Sequence, residues 1–121
     1  MTEHEINMAI AKVKGWSDFE IVHQVASTHS PHGWLYGLPP NTQDNERILT
    51  TVPYYTRDLN AMHEAEKILM TGQMVECVEH LIDIVQNSRE DKFKHRELNI
   101  FIATASQRCE AFLKTLGLWK V

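Results

Sequence analysis

Between residues 74 and 85, Met74, Val75, Val78, Leu81, Ile82 and Val85 fall at offsets 0, 1, 4, 7, 8 and 11. Only a helix of 3.6 residues per turn gathers those positions into one stripe, so this segment must be an amphipathic helix. The opposite face carries Glu76, Glu79, His80 and Asp83. A helix with one apolar stripe needs a partner layer, and the rest of the chain must supply it.

Two segments carry a capping box that marks a helix start. Thr2 with Glu5 opens a helix over about 3 to 14, with Ile6, Ala9, Ile10 and Val13 at helical spacing and Gly15 as its stop. Thr104 with Gln107 opens a last helix that runs to about Leu116 and ends at Gly117, burying Ala111, Phe112, Leu113 and Leu116. A fourth helix is expected from Thr56 or Asp58 to about Met70, with Leu59, Met62, Ala65 and Leu69 inward and Gly72 ending it.

Extended chain is expected in "WSDFEIVHQVA", in "WLYGL", in "RILTTV" as an edge strand closed by Pro53, and in the apolar "ELNIFIATA". The turn clusters "STHSPHG" and "PPNTQDNE" separate the first three. Without regular βαβ alternation, the order indicates an α+β fold: one domain over 1–121, with an antiparallel or mixed sheet of three or four strands layered with helices. At 121 residues and 43% apolar content, such a domain buries a core without metals or disulfides.

Charge and cysteine usage narrow the function classes. A formal net charge of −4 argues against general nucleic-acid binding, which needs a basic face. No apolar stretch is long enough to span a bilayer, and the acidic start "MTEHEINMAI" has no signal-peptide character, so a cytoplasmic protein is expected. Cys77 and Cys109 have no metal-ligand spacing and read as buried thiols.

The most reactive-looking stretch is "DLNAMHEAEKIL". His63 and Glu64 are the first half of a zinc-protease helix, but the second ligand position is Lys67, a cation that would repel a metal. The reading preferred is a solvated helix face with Asn60, Glu64 and Lys67, the last two forming an i, i+3 ion pair. A hydrolase built on His63 and Glu64 is the residual enzymatic reading. His29 and His32 lack a third ligand, and Cys77 lies beside Glu76 and Glu79, which oppose thiolate formation. No catalytic residue, metal site or cofactor is assigned.

Two features favour binding. Trp34, Tyr36, Tyr54 and Tyr55 flank the Pro-rich loop and Arg57 follows, a set able to hold a planar anion by stacking and charge. Arg89, Lys92, Lys94, His95 and Arg96 form a local basic run diluted by Glu90 and Asp91.

The stretches "PYYTRDLNAMHEAEKIL" and "IFIATASQRCEAFLKTLGLWK", with "GWLYGLPP" and the earlier "INMAIAKVKGW", resemble the phage ABA sandwich domain family, small proteins of tailed phages and prophages. The resemblance spans most of the chain. It implies an α/β/α-layered domain in the cytoplasm of an infected bacterium and carries no catalytic residues or cofactor to transfer.

The combined expectation is a non-enzymatic phage accessory protein that sequesters a small anionic, nucleotide-type host defence signal through Trp34, Tyr36, Tyr54, Tyr55 and Arg57. The alternative is a module that inhibits or redirects a host protein through an exposed apolar or charged helix face, such as the acidic face of the helix at 74–86. A homodimer or higher homo-oligomer fits either role.

Overall fold

A computed structural model describes residues 1–23, 33–42, 48–87 and 103–121. Among these the chain forms α1 (Glu3–Val13), β1 (Ser17–Val22), β2 (Trp34–Leu38), β3 (Thr50–Thr51), α2 (Leu59–Glu66), α3 (Thr71–Asn87) and α4 (Ala105–Thr115). The class is α+β, as the order of signals requires. His29, His32, the basic run at 89–96 and residues 97–102 of the expected fourth strand lie outside the described residues.

The helix starts are where the side chains can satisfy backbone donors. Thr2 Oγ1 accepts from Glu5 N at 3.2 Å while Glu5 Oε2 accepts from Thr2 N at 3.2 Å. Thr104 and Gln107 repeat the reciprocal pair at the head of α4. Asp58 rather than Thr56 caps α2, taking the Ala61 N–H at 3.1 Å. α2 is shorter than its pattern: it closes at Lys67 in a tight turn, and Gly72 lies in the first turn of α3 instead of ending α2. Gln73 Oε1 accepts the Met70 N–H at 3.0 Å, so α3 begins earlier than the stripe that announces it.

The three strands form one antiparallel sheet in the order β1-β2-β3. Glu20 faces Tyr36, Ile21 faces Leu35, and Val22 faces Trp34. Toward the start of β1 the pairing shifts by one residue, to Ser17 with Leu38. Asp18 takes up the extra residue at φ 52, a conformation that a short polar side chain tolerates at a bulge. Gly37 has no side chain for a reason visible in the same place: a Cβ there would come within 3.1 Å of the Phe19 ring and 3.2 Å of the Ser17 carbonyl. β3 is only two residues long because Val52 donates a last bond to the Leu35 carbonyl and Pro53 then has no N–H to continue.

Alternation along β2 decides which side chains reach the core. Leu35 is buried among the helices, whereas Trp34 and Tyr36 occupy the other face and are half-buried. The core lies around α4, which packs most extensively on α3 and also contacts α1 and α2. Ile10, Ala11, Met62, Ala65, Cys109, Ala111, Phe112 and Leu113 have no solvent exposure. Both cysteines are buried thiols, with Cys109 Sγ 3.4 Å from Met62 Sδ. No helix among the described residues is long and apolar enough to cross a membrane.

Candidate functional site

The aromatic and basic residues singled out from the sequence come together only in part. After β3, Pro53 and a tight turn swing the chain toward α2: the Tyr54 carbonyl accepts from Arg57 N at 3.0 Å and Asp58 N at 2.7 Å. This turn is pinned to α1 by the fully buried Asn7, whose Oδ1 accepts the Thr56 N–H at 3.1 Å. The turn sends Tyr54 and Tyr55 in opposite directions.

Tyr54 meets Trp34 edge to face, with ring centroids 5.7 Å apart and planes at 81°. The Arg57 guanidinium lies 5.4 Å from the Tyr54 ring centroid on a surface path. Its Nε and Nη2 meet Glu3 Oε1 and Oε2 at 2.9 and 3.2 Å. The result is a row of Trp34, Tyr54, Arg57 and Glu3 joining β2 to the first turn of α1. Tyr36 shares the β2 face of Trp34, two residues along.

Tyr55 does not belong to this row. It is 1% exposed and belongs to the core cluster, and burial followed by the nearby Cys109 pushes its phenol up to about 12. The sequence shows two adjacent tyrosines; the turn makes one a surface ring and the other a core ring.

The His63 region has the geometry of an ordinary helix surface. His63, Glu64 and Lys67 are exposed, and Lys67 Nζ bonds Glu64 Oε1 at 2.7 Å. The hydrogen bond and the charge of Lys67 hold the Glu64 carboxyl below its ordinary range, which keeps it ionised and paired. Among the described residues no group of three or more His, Cys, Asp or Glu side chains could hold a metal ion.

Two features went unread in the sequence. Glu66 and Arg108, far apart in the chain, form a bidentate pair at 2.7 and 2.9 Å that ties the end of α2 to α4. The second is the fate of the apolar stripe of α3. Leu81, Ile82 and Val85 are buried as expected, but Met74, Val75 and Val78 remain 50%, 62% and 37% exposed. Periodicity identifies the stripe without identifying how far the neighbouring helices extend along it.

No family model matches the chain, and neither a curated protein nor a solved structure matches it. Function therefore rests on the geometry of these surfaces.

Proposed function

We propose that the protein acts by binding rather than by covalent catalysis, and that Trp34, Tyr54 and Arg57, with Tyr36 beside them, hold a small planar anion. The observation that carries this reading is the placement of Arg57, stacked near Tyr54 and presenting its fork to a single surface carboxylate. A guanidinium fork matches phosphate as well as carboxylate, and a phosphate that carries more charge competes favourably for it. The Arg57 and Glu3 side chains are 71% and 36% exposed. Exposed pairs of this kind contribute at most about 1 kcal/mol, so an incoming anion displaces Glu3 at small cost. The rings of Trp34 and Tyr54 then supply apolar and edge contacts to the planar part of the ligand.

The resemblance to the phage family supplies only the setting, an accessory protein in an infected bacterium; the aromatic and basic residues supply the ligand class, a nucleotide-type defence signal that the protein sequesters. Native mass spectrometry of untagged protein purified from a bacterial host tests this, with released small molecules identified after denaturation. The expected result is a retained nucleotide-type anion that Arg57→Ala loses. A retained ligand that is unaffected by Arg57→Ala, or an uncharged one, would contradict the reading.

A further inference from the structure

The sheet face that carries Trp34 and Tyr36 also carries an acceptor that the aromatic row leaves unused. Glu20 of β1 is the antiparallel partner of Tyr36, and Val22 is the partner of Trp34, so all four side chains project from the same side of the sheet. On the other flank of Tyr36, its partner in β3 is Thr51. Directly opposed side chains lie close enough to touch, and diagonal neighbours such as Glu20 and Trp34 stay within reach of a long side chain. Glu20 is exposed, and among the described residues its carboxylate has no ion pair or hydrogen bond.

The polar groups on this surface are therefore sorted. Val22, Trp34 and Tyr36 form an apolar floor, Glu20 and Thr51 border it on either side of Tyr36, and Arg57 closes the far end beyond Tyr54. A planar ring lying on this floor meets a carboxylate at its edge. A charged substituent that runs along the row reaches the guanidinium.

Such an arrangement selects the edge of the ring as well as the charge of its substituent. An ionised carboxylate only accepts hydrogen bonds, and it takes two parallel ones when the ring presents two adjacent donors. Guanine offers that pair, with its ring N1–H beside the exocyclic amine. Adenine and cytosine set a ring lone pair beside their amine, and uracil flanks its single N–H with two carbonyl oxygens. Each of these turns a lone pair toward the second carboxylate oxygen.

We propose, on the reading of Arg57 as the anion-binding group, that the ligand is a guanine-type nucleotide. Its base lies over Trp34 and Tyr36, its N1–H and amine donate to Glu20, and its phosphate meets Arg57. Glu20 is then the specificity-determining residue, while Arg57 supplies the attraction common to all nucleotides.

The test is a calorimetric titration of guanosine, inosine, adenosine and uridine monophosphates into the unsubstituted protein, Glu20→Gln and Arg57→Ala. Guanosine monophosphate should bind the unsubstituted protein at least about tenfold more tightly than the adenosine and uridine compounds. Inosine monophosphate, which keeps N1–H and lacks the exocyclic amine, should fall between them. Glu20→Gln should weaken guanosine monophosphate about tenfold without weakening uridine monophosphate, which serves as the control for a general effect on folding. Arg57→Ala should lose all four. Equal affinities for the four nucleotides, a guanine preference that survives Glu20→Gln, or an equal loss for guanosine and uridine compounds would overturn the assignment to Glu20 and leave nucleotide binding through Arg57 standing. Binding of none of the four would overturn both.

Discussion

Asn7 of α1 accepts the backbone N–H of Thr56 at 3.1 Å, joining two segments 49 residues apart. Asn7 is 1% exposed and, among the described residues, the one polar side chain in an otherwise apolar set of buried side chains. Through this bond α1 fixes the turn that holds Tyr54, Tyr55 and Arg57, and so brings Arg57 within reach of Glu3 on the same helix.

Asn7→Leu removes the acceptor and leaves the part-buried Thr56 N–H without its side-chain partner. Such a loss costs about 1–3 kcal/mol. Urea unfolding should show a lower midpoint with an unchanged slope, and the cation–aromatic corner should loosen with it. A midpoint equal to that of the unsubstituted protein would show that the bond contributes nothing to the turn.

The Glu66–Arg108 pair should couple more strongly than the Glu64–Lys67 pair. The first is bidentate with side chains 20% and 16% exposed, whereas the second spans two side chains above 60% exposure. A double-mutant cycle with Glu66→Gln and Arg108→Met should give a coupling of about 1–2 kcal/mol. The corresponding cycle at Glu64 and Lys67 should be indistinguishable from zero. Equal couplings would contradict the assignment of Glu66–Arg108 as the tie between α2 and α4.

Thr104→Ala should destabilise α4 by about 1 kcal/mol, and Thr104→Ser should recover most of the loss. Thr104 is exposed, so the change removes the cap without opening a cavity. Thermal unfolding followed by circular dichroism measures both variants. An effect of equal size in the Ser variant would point to a cause other than the hydroxyl.

Alkaline pH should unfold the protein through its core. Burial, with Glu66 nearby, pushes the Cys109 thiol from its ordinary 9.0 up to about 12. Tyr55 rises from 10.0 to about 12, chiefly by burial. Both groups hold their protons more tightly in the folded chain, so above the unfolded values the unfolded state binds fewer protons than the native one. Stability is therefore full below about pH 9 and falls as pH rises toward 12. Urea midpoints measured from about pH 8 to pH 11 should decline, and Cys109 should resist alkylation until unfolding. A flat profile above pH 9 would contradict the burial of these groups.

The parts of the fold readable in advance are those governed by local chemistry. Thr2 with Glu5 and Thr104 with Gln107 announce helix starts because both partners of each cap lie three residues apart. The pairing of Glu64 with Lys67 is local in the same sense. Glu66 with Arg108, and Asn7 with Thr56, join distant segments and leave no periodic trace. The candidate site divides along the same line. Trp34, Tyr54 and Arg57 share a surface, but a turn held by long-range contacts puts Tyr55 into the core. Which part of the α3 stripe is covered, Leu81, Ile82 and Val85 but not Met74, Val75 and Val78, is likewise a tertiary fact.

The most direct test of the proposed binding role is a calorimetric titration of a panel of mono- and dinucleotides into the unsubstituted protein, Arg57→Ala and Glu3→Gln. If the anion displaces Glu3 from Arg57, at least one nucleotide binds, Arg57→Ala abolishes the heat, and Glu3→Gln tightens binding by removing the competing carboxylate. Binding that is unchanged in Arg57→Ala, or weakened in Glu3→Gln, would contradict the exchange at Arg57 on which the account depends.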